Sequence, residues 1–232
     1  MENKNYLLIA SIIMILIAIY ASLIYAPKVK DTKESEWSAP EVQRLFYFHM
    51  PFAVISYLAF FIVFLSSILY LKNRERKWDI FASSSAEIGV LFCFLGIILG
   101  IVWAKAEWGI YWDWGDMKLD TTLVLLLIYL AYLSIRGSIE EIEKRARLSA
   151  VYGIVGFFGV PLSYFSFYIW GEYLHSKVVS PGGGGLGSEM KITLIISMIA
   201  FLIFYFYILL NRIEIEKLKY KIKIIEEVLK NE

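Results

Sequence analysis

Six apolar runs, most of them near twenty residues long, constrain this 232-residue chain more than any other feature. They lie at about Tyr6–Tyr25, Phe52–Leu71, Phe81–Trp103, Thr121–Ile135, Leu148–Trp170 and Ile192–Leu210. A helix of about 20 residues crosses roughly 30 Å of hydrocarbon. Within lipid every backbone N–H and C=O must find its partner inside the protein, which favours helices for such runs. The fourth run reaches spanning length only if its helix starts in the preceding loop. The first is longer than the roughly 7–15 apolar residues of a secretory signal, so an uncleaved helix is expected there. Hydrophobic residues make up 59% of the chain and charged ones 19%, against roughly 45–50% and about 25% in soluble domains. One soluble core of this length could not hide that much apolar surface. The expected architecture is an all-α integral membrane bundle of six transmembrane helices, with the lipid bilayer as its solvent.

The basic residues orient this bundle. With the N-terminus in the cytoplasm, the inner segments hold fifteen Lys and Arg and the outer ones eight. The positive-inside rule therefore predicts both termini in the cytoplasm. A six-helix unit at 1–210 is followed by a charged tail at 211–232. There Leu218, Ile222, Ile225 and Leu229 recur at helical spacing, while Ile213, Ile215, Tyr220 and Ile224 also fit a strand-like alternation. The tail reads either as a solvated helical extension or as a docking surface for a cytoplasmic partner. A net charge of +1 supplies no basic excess for nucleic acid. A single cysteine, Cys93, excludes a disulfide framework, a Cys-x-x-Cys relay and the Cys-x-x-Cys-His signature of covalent haem attachment. Cys93 itself reads as a small apolar residue deep in the third helix. Glu87 in the same helix is an intramembrane carboxylate, for which an interhelical hydrogen bond is expected.

The outer face then collects what is scarce. Both histidines, His49 and His175, fall at outer helix ends, and six of seven tryptophans lie outside or at that boundary. Interfacial tryptophan belts form at both faces of a bilayer, so a belt accounts for only part of this asymmetry. The outer segment Trp108-Gly109-Ile110-Tyr111-Trp112-Asp113-Trp114 packs four aromatics into seven residues, within a tryptophan-rich loop at about 104–120. Such density suits a flat apolar ligand with polar edges, for which a porphyrin qualifies. Two neutral imidazoles from facing helices can hold haem iron axially, and two histidines allow at most one such haem. A His/carboxylate metal centre with Asp113, Asp116 or Glu172 stays open as an alternative. Arg44, Lys105, Lys118 and Lys177 are the outer cations that could meet haem propionates, or be ordinary interfacial charges.

Taken together, these residues resemble the cytochrome c maturation protein C family, with its tryptophan-rich "WWD" loop. The similarity runs from about Phe46 to Leu210. Its most specific part is Trp108 to Trp114, followed by Val160-Pro161, Phe165-Ser166 and Trp170 ahead of His175. Two departures stand out. Where the family continues Trp-Asp-x-Arg-Leu-Thr, this chain has Gly115 and then Asp116-Met117-Lys118-Leu119-Asp120, with lysine in place of arginine. The stretch from Trp170 to His175 is also one residue longer than usual.

The resemblance implies non-covalent haem b with His49 and His175 as iron ligands, and Trp108, Tyr111, Trp112 and Trp114 as the haem-facing aromatics. Arg44 and Lys118 are the cations assigned to the cofactor. It further implies a multi-pass protein of the inner (cytoplasmic) cell membrane that holds haem at the outer face. That haem would be delivered to a haem chaperone, alongside ABC-type transporter subunits. The alternative is a cytochrome c synthetase, a haem lyase that attaches haem to apocytochrome; a transmembrane haem pore and a cofactor-free subunit are the remaining rivals. Gly182, Gly184 and Gly187 satisfy Gly-x-Gly-x-x-Gly, but without a preceding strand they read as a linker and not as a nucleotide loop.

Overall fold

The computed structural model describes residues 2–27, 41–171 and 186–230. All secondary structure in them is helical: α1 (Glu2–Tyr20), extended by a π-turn at Ala21–Tyr25; α2 (Phe46–Asn73), entered through a 3₁₀ turn at Val42–Leu45; α3 (Arg76–Trp108); α4 (Met117–Ser138); α5 (Ile142–Gly156); α6 (Gly159–Trp170); and α7 (Ser188–Lys230). Six helical segments are long and apolar enough to cross a bilayer, with α5 and α6 sharing the fifth. The chain is thus a multi-pass membrane protein, as the apolar runs predict.

The centre of the bundle is the α2–α3 hairpin. Its turn is tight, with Arg74 in the left-handed region (φ 56°) and its N–H donating to Tyr70 O at 2.8 Å. Antiparallel neighbours follow from so short a connection. Along α3, Gly89, Gly96 and Gly100 face α2. A Cβ at Gly89 would lie 2.7 Å from Phe60 Cε1, and one at Gly96 would lie 3.5 Å from Ala53 N. Small residues let two backbones approach where lipid supplies no hydrophobic drive for association.

On one side of this hairpin Phe60, Val63, Leu125, Tyr129 and Tyr132 form a buried cluster that joins α4 and the fifth span. Phe60 and Tyr129 stack there at 3.7 Å between centroids. On the other side Ile55, Ala59, Phe92, Phe201 and Tyr205 join α7. Ser85 Oγ ties three helices by donating to Ala59 O at 2.8 Å while sitting 2.7 Å from Tyr205 OH. Helix α1 runs antiparallel along α7: Lys4 pairs with Glu214, and Ala26 packs with Leu186 and Met190. Its remaining face is apolar and exposed, Ile9, Ile12, Leu16 and Ile24 included, as suits lipid.

Three features add detail to the sequence expectation. Helix α4 does start in the preceding loop, because Asp116 Oδ1 accepts the N–H groups of Lys118 and Leu119 at 2.9 and 3.2 Å and caps it there. The fifth span breaks at Phe157–Phe158. Pro161 has no N–H to give Phe157 O, which is taken at 2.9 Å by Val160 N instead. The strand-like option for the tail falls away, since α7 continues unbroken to Lys230. At 1.5 Å per residue its length is roughly 65 Å, so about half projects beyond the hydrocarbon. Leu218, Ile222, Ile225 and Leu229 are exposed on that projection.

Candidate functional site at the histidine end

His49 lies in the first turns of α2, two residues before Pro51, which the helix tolerates near its start. Its imidazole crosses to α3. Nδ1 is 2.8 Å from Gly96 O. A carbonyl only accepts, so Nδ1 carries the hydrogen, and in the neutral imidazole Nε2 then holds the lone pair. The ring rests on Gly100, where a Cβ would come within 3.0 Å of His49 Cε1 and 3.3 Å of Nδ1. Its edge meets Trp103 at 5.9 Å between centroids; Trp103 in turn contacts Phe46 at 5.7 Å and lies near-parallel to Trp108 at 6.4 Å. Gly96, Gly100 and Trp103 are spaced i, i+4, i+7, on one face of α3.

The tryptophan loop begins where α3 ends. Gly109 (φ 76°) closes the helix, its N–H donating to Lys105 O at 3.1 Å. That left-handed position favours glycine. Lys105 Nζ donates to Gly109 O at 2.8 Å and stands 5.0 Å over the Tyr111 ring. Further on, Asp113 Oδ1 accepts from Gly115 N at 2.8 Å, and Trp112 Nε1 donates to Asp120 Oδ1 at 3.3 Å. Trp112 and Trp114 meet at 5.6 Å. The loop is therefore fastened at both ends while its rings look outward: Tyr111 is 61% exposed and Trp114 72%.

The structure thus joins His49, Trp103 and Trp108 into one aromatic array and makes Trp112 and Trp114 a second pair tied to α4. Lys118 points elsewhere: Nζ donates to Tyr57 OH at 3.1 Å and Ser163 O at 2.9 Å, and stands 5.4 Å over the Tyr57 ring. Arg44 Nη1 donates to Leu23 O, holding the end of α1. Asp113 and Asp116, candidates for a carboxylate metal centre, spend carboxylate oxygens on backbone N–H groups. No metal-holding cluster of His, Cys, Asp and Glu occurs among the described residues. His175, Lys177, Glu172 and the glycines at 182–185 lie outside the described residues.

Trp103, Gly96 and Gly100 were not singled out from sequence. The signal that could have found them is the small-x-x-x-small-x-x-Trp spacing on α3, opposite a histidine on the neighbouring helix.

The sequence profile of the family described as Heme exporter protein C (CcmC) matches residues 2–226. The chain belongs to that family. Among relatives, Heme exporter protein C of Bradyrhizobium diazoefficiens is 29% identical over 202 residues, covering 86% of this chain and 73% of its own. A ccmC-like mitochondrial protein of Marchantia polymorpha, named for cytochrome c biosynthesis, is 30% identical over 197 residues, 84% of this chain and 80% of its own. Heme exporter protein C of Escherichia coli is 22% identical over 165 residues, 71% and 64% of the two chains. Family membership extends the resemblance read from His49 and the tryptophan loop to nearly the whole chain, α1 and most of α7 included.

At the opposite end the bundle is held by charge. Asp79, buried, takes Arg136 Nη1 at 2.5 Å and Nη2 at 3.1 Å, and also pairs with Arg76. Glu87 pairs with Arg212 through two contacts, the Nη2–Oε1 one at 2.8 Å. The expected interhelical partner of Glu87 is therefore a cation at the start of the tail. Cys93 is buried in the apolar cluster between α2, α3 and α4.

Proposed function

We propose that this heme exporter family member holds non-covalent haem b at its histidine end and passes it to a membrane-tethered haem chaperone. His49 and His175 are the axial ligands, and Trp108, Tyr111, Trp112 and Trp114 lie against the macrocycle. The observation that carries this reading is the His49 Nδ1–Gly96 O hydrogen bond. It holds the ring in the tautomer whose Nε2 binds metal and fixes its direction, the backbone-carbonyl partnership common for metal-binding histidines.

Haem supplies an iron that needs strong yet releasable ligands. A histidine at a helix end, beside an exposed aromatic loop, suits capture followed by surrender. Arg44 and Lys118 are the proposed propionate partners. Each already has a protein contact, but a guanidinium has five N–H donors and an ammonium three, so both retain capacity. The basic-residue asymmetry supports both termini in the cytoplasm, and the family supports the inner cell membrane as the location. The family supports work beside ABC-type transporter subunits. The unit at 1–210 carries the haem function, and the projecting end of α7 at 211–232 forms the cytoplasmic tail.

The test is a visible absorption spectrum of the purified protein beside His49→Ala and His175→Ala. Loss of the haem bands in each variant is expected. Unchanged haem content in both would sink the ligand assignment.

A further inference from the structure

At the end of the bundle away from His49, a cavity of about 340 Å³ opens between the α2–α3 turn, the start of α5 and α7. Its walls carry three arginines, Arg74, Arg76 and Arg147, against one carboxylate, Glu143. Two aromatic rings frame it. Arg76 Cζ stands 4.9 Å over the Tyr220 ring and Arg74 Cζ 5.9 Å over Tyr70. Arg76 gives its Nη1 to Asp79, but its Nε is buried without a hydrogen-bond partner. No carboxylate pairs with Arg74 or Arg147 among the described residues. Asp79 is itself shared between Arg76 and Arg136, so it cannot neutralise the cluster.

The backbone adds to this excess of donors. Helix α3 begins at Arg76 and α5 at Ile142, and neither helix start has a side-chain cap hydrogen bond. Uncapped first-turn N–H groups and the positive ends of two helix dipoles therefore border the same space. Arg74 is also held in the left-handed region, which an arginine seldom adopts. In this hairpin Arg74 and Arg76 flank a single intervening residue, which brings two guanidinium groups to one cavity.

Converging guanidinium groups and uncapped helix starts describe a receptor for a compact, multiply charged oxyanion. The cavity lies where α2 and α3 leave their apolar stretches, at the depth of headgroups and the adjoining water. We propose that it is a phosphate-binding site, filled by the phosphate of an anionic phospholipid headgroup or of a water-soluble phosphate compound. Basic pockets between membrane helices bind anionic headgroups by the same chemistry. The proposal is independent of the haem reading, since none of these residues touches His49 or the tryptophan loop.

The test uses the full chain, stripped of lipid in a neutral detergent, and the variant Arg74→Gln/Arg147→Gln. Neither arginine holds an ion pair among the described residues, so the variant should fold, and relief of like-charge crowding should leave its ligand-free Tm no lower. Tm is followed against phosphatidylglycerol, phosphatidylcholine, and sodium pyrophosphate balanced by sodium chloride of equal ionic strength. At about 100-fold excess over Kd, a shift of roughly 5–10 °C is expected in the wild type, and it should be lost in the variant. A shift with phosphatidylglycerol alone supports the headgroup source, and one with pyrophosphate the soluble source. No shift with either, or the same shift in the variant, overturns the site. Native mass spectrometry of the wild type gives a reading that needs no variant. One phosphate-bearing adduct per chain supports the proposal, and none under any of these conditions overturns it.

Discussion

His49 Nδ1 sits 2.8 Å from the carbonyl oxygen of Gly96, so a side chain of α2 is oriented by the backbone of α3. The contact depends on two glycines one turn apart. Gly96 lets the helices close, and Gly100 leaves room for the ring. The orientation of the imidazole is thereby built into the helix packing at the centre of the bundle, and it does not depend on the exposed loop.

Substitution of Gly100 tests this directly. A Cβ there would crowd His49 at 3.0 Å, so Gly100→Ala should tilt the imidazole and Gly100→Leu should expel it. Helix propensity alone would favour alanine by roughly 0.5–1 kcal/mol. The expected pattern is therefore graded loss of haem, partial for alanine and near complete for leucine, with Tm falling little for the alanine variant. Haem absorbance per mole of protein and a melting curve measure the two together. Full haem content in Gly100→Leu would refute the orientation argument.

The aromatic loop should divide by position. Trp114 is 72% exposed, whereas Trp103 touches both His49 and Phe46. Trp114→Ala should leave Tm nearly unchanged while weakening haem retention. Trp103→Ala removes a large packed ring, which in cores costs about 3–5 kcal/mol, and should lower both. Equal effects of the two substitutions on Tm would show that the loop does not stand apart from the packed bundle.

How much of this was legible from sequence depends on the range over which each property is set. The spans were legible because hydropathy summed over about twenty residues needs no knowledge of neighbours. The capped start of α4 was legible in part, since a fourth span had to borrow from its loop and Asp116 is a natural cap. The break at Phe157 follows from Pro161 but is invisible to a hydropathy window, because the residues on both sides are apolar. Continuity of α7 was ambiguous because its tail fits periods of both 2 and 3.6. The partners of His49, Lys118 and Glu87 are set by the register between distant helices, which one sequence does not encode locally. Lys118 is legible as a cation on the outer side, but its contacts with Tyr57 and Ser163 follow from its register on α4.

The α3–α7 contact through Glu87 and Arg212 predicts coupling that can be measured. Both side chains are part-exposed, at 38% and 21%, so solvent screens the pair and the gain from charge alone is modest. A double-mutant cycle with Glu87→Gln and Arg212→Gln should give an interaction energy of roughly 0.5–3 kcal/mol. Additive effects on thermal stability would mean that α7 is held by its apolar face alone.

Asp79 should be the most sensitive charge in the molecule. Its side chain is 2% exposed and lies between Arg136 and Arg76, of which Arg136 is itself only 11% exposed. Removing one partner of a buried pair leaves the other charge uncompensated, at a cost of about 3–5 kcal/mol. Asp79→Asn keeps the volume and removes the charge, and it strands two arginines rather than one. The variant should therefore melt far below the wild type. Arg136→Met in the same background should recover part of the loss, because replacing a buried ion pair by apolar groups is often neutral. Lys219→Gln serves as the comparison, since its pair with Glu216 involves a lysine side chain 61% exposed and such surface pairs contribute about 0–1 kcal/mol. Thermal melts of the four proteins decide it: an Asp79→Asn variant no less stable than Lys219→Gln would show that the arginine end is not held together by this carboxylate.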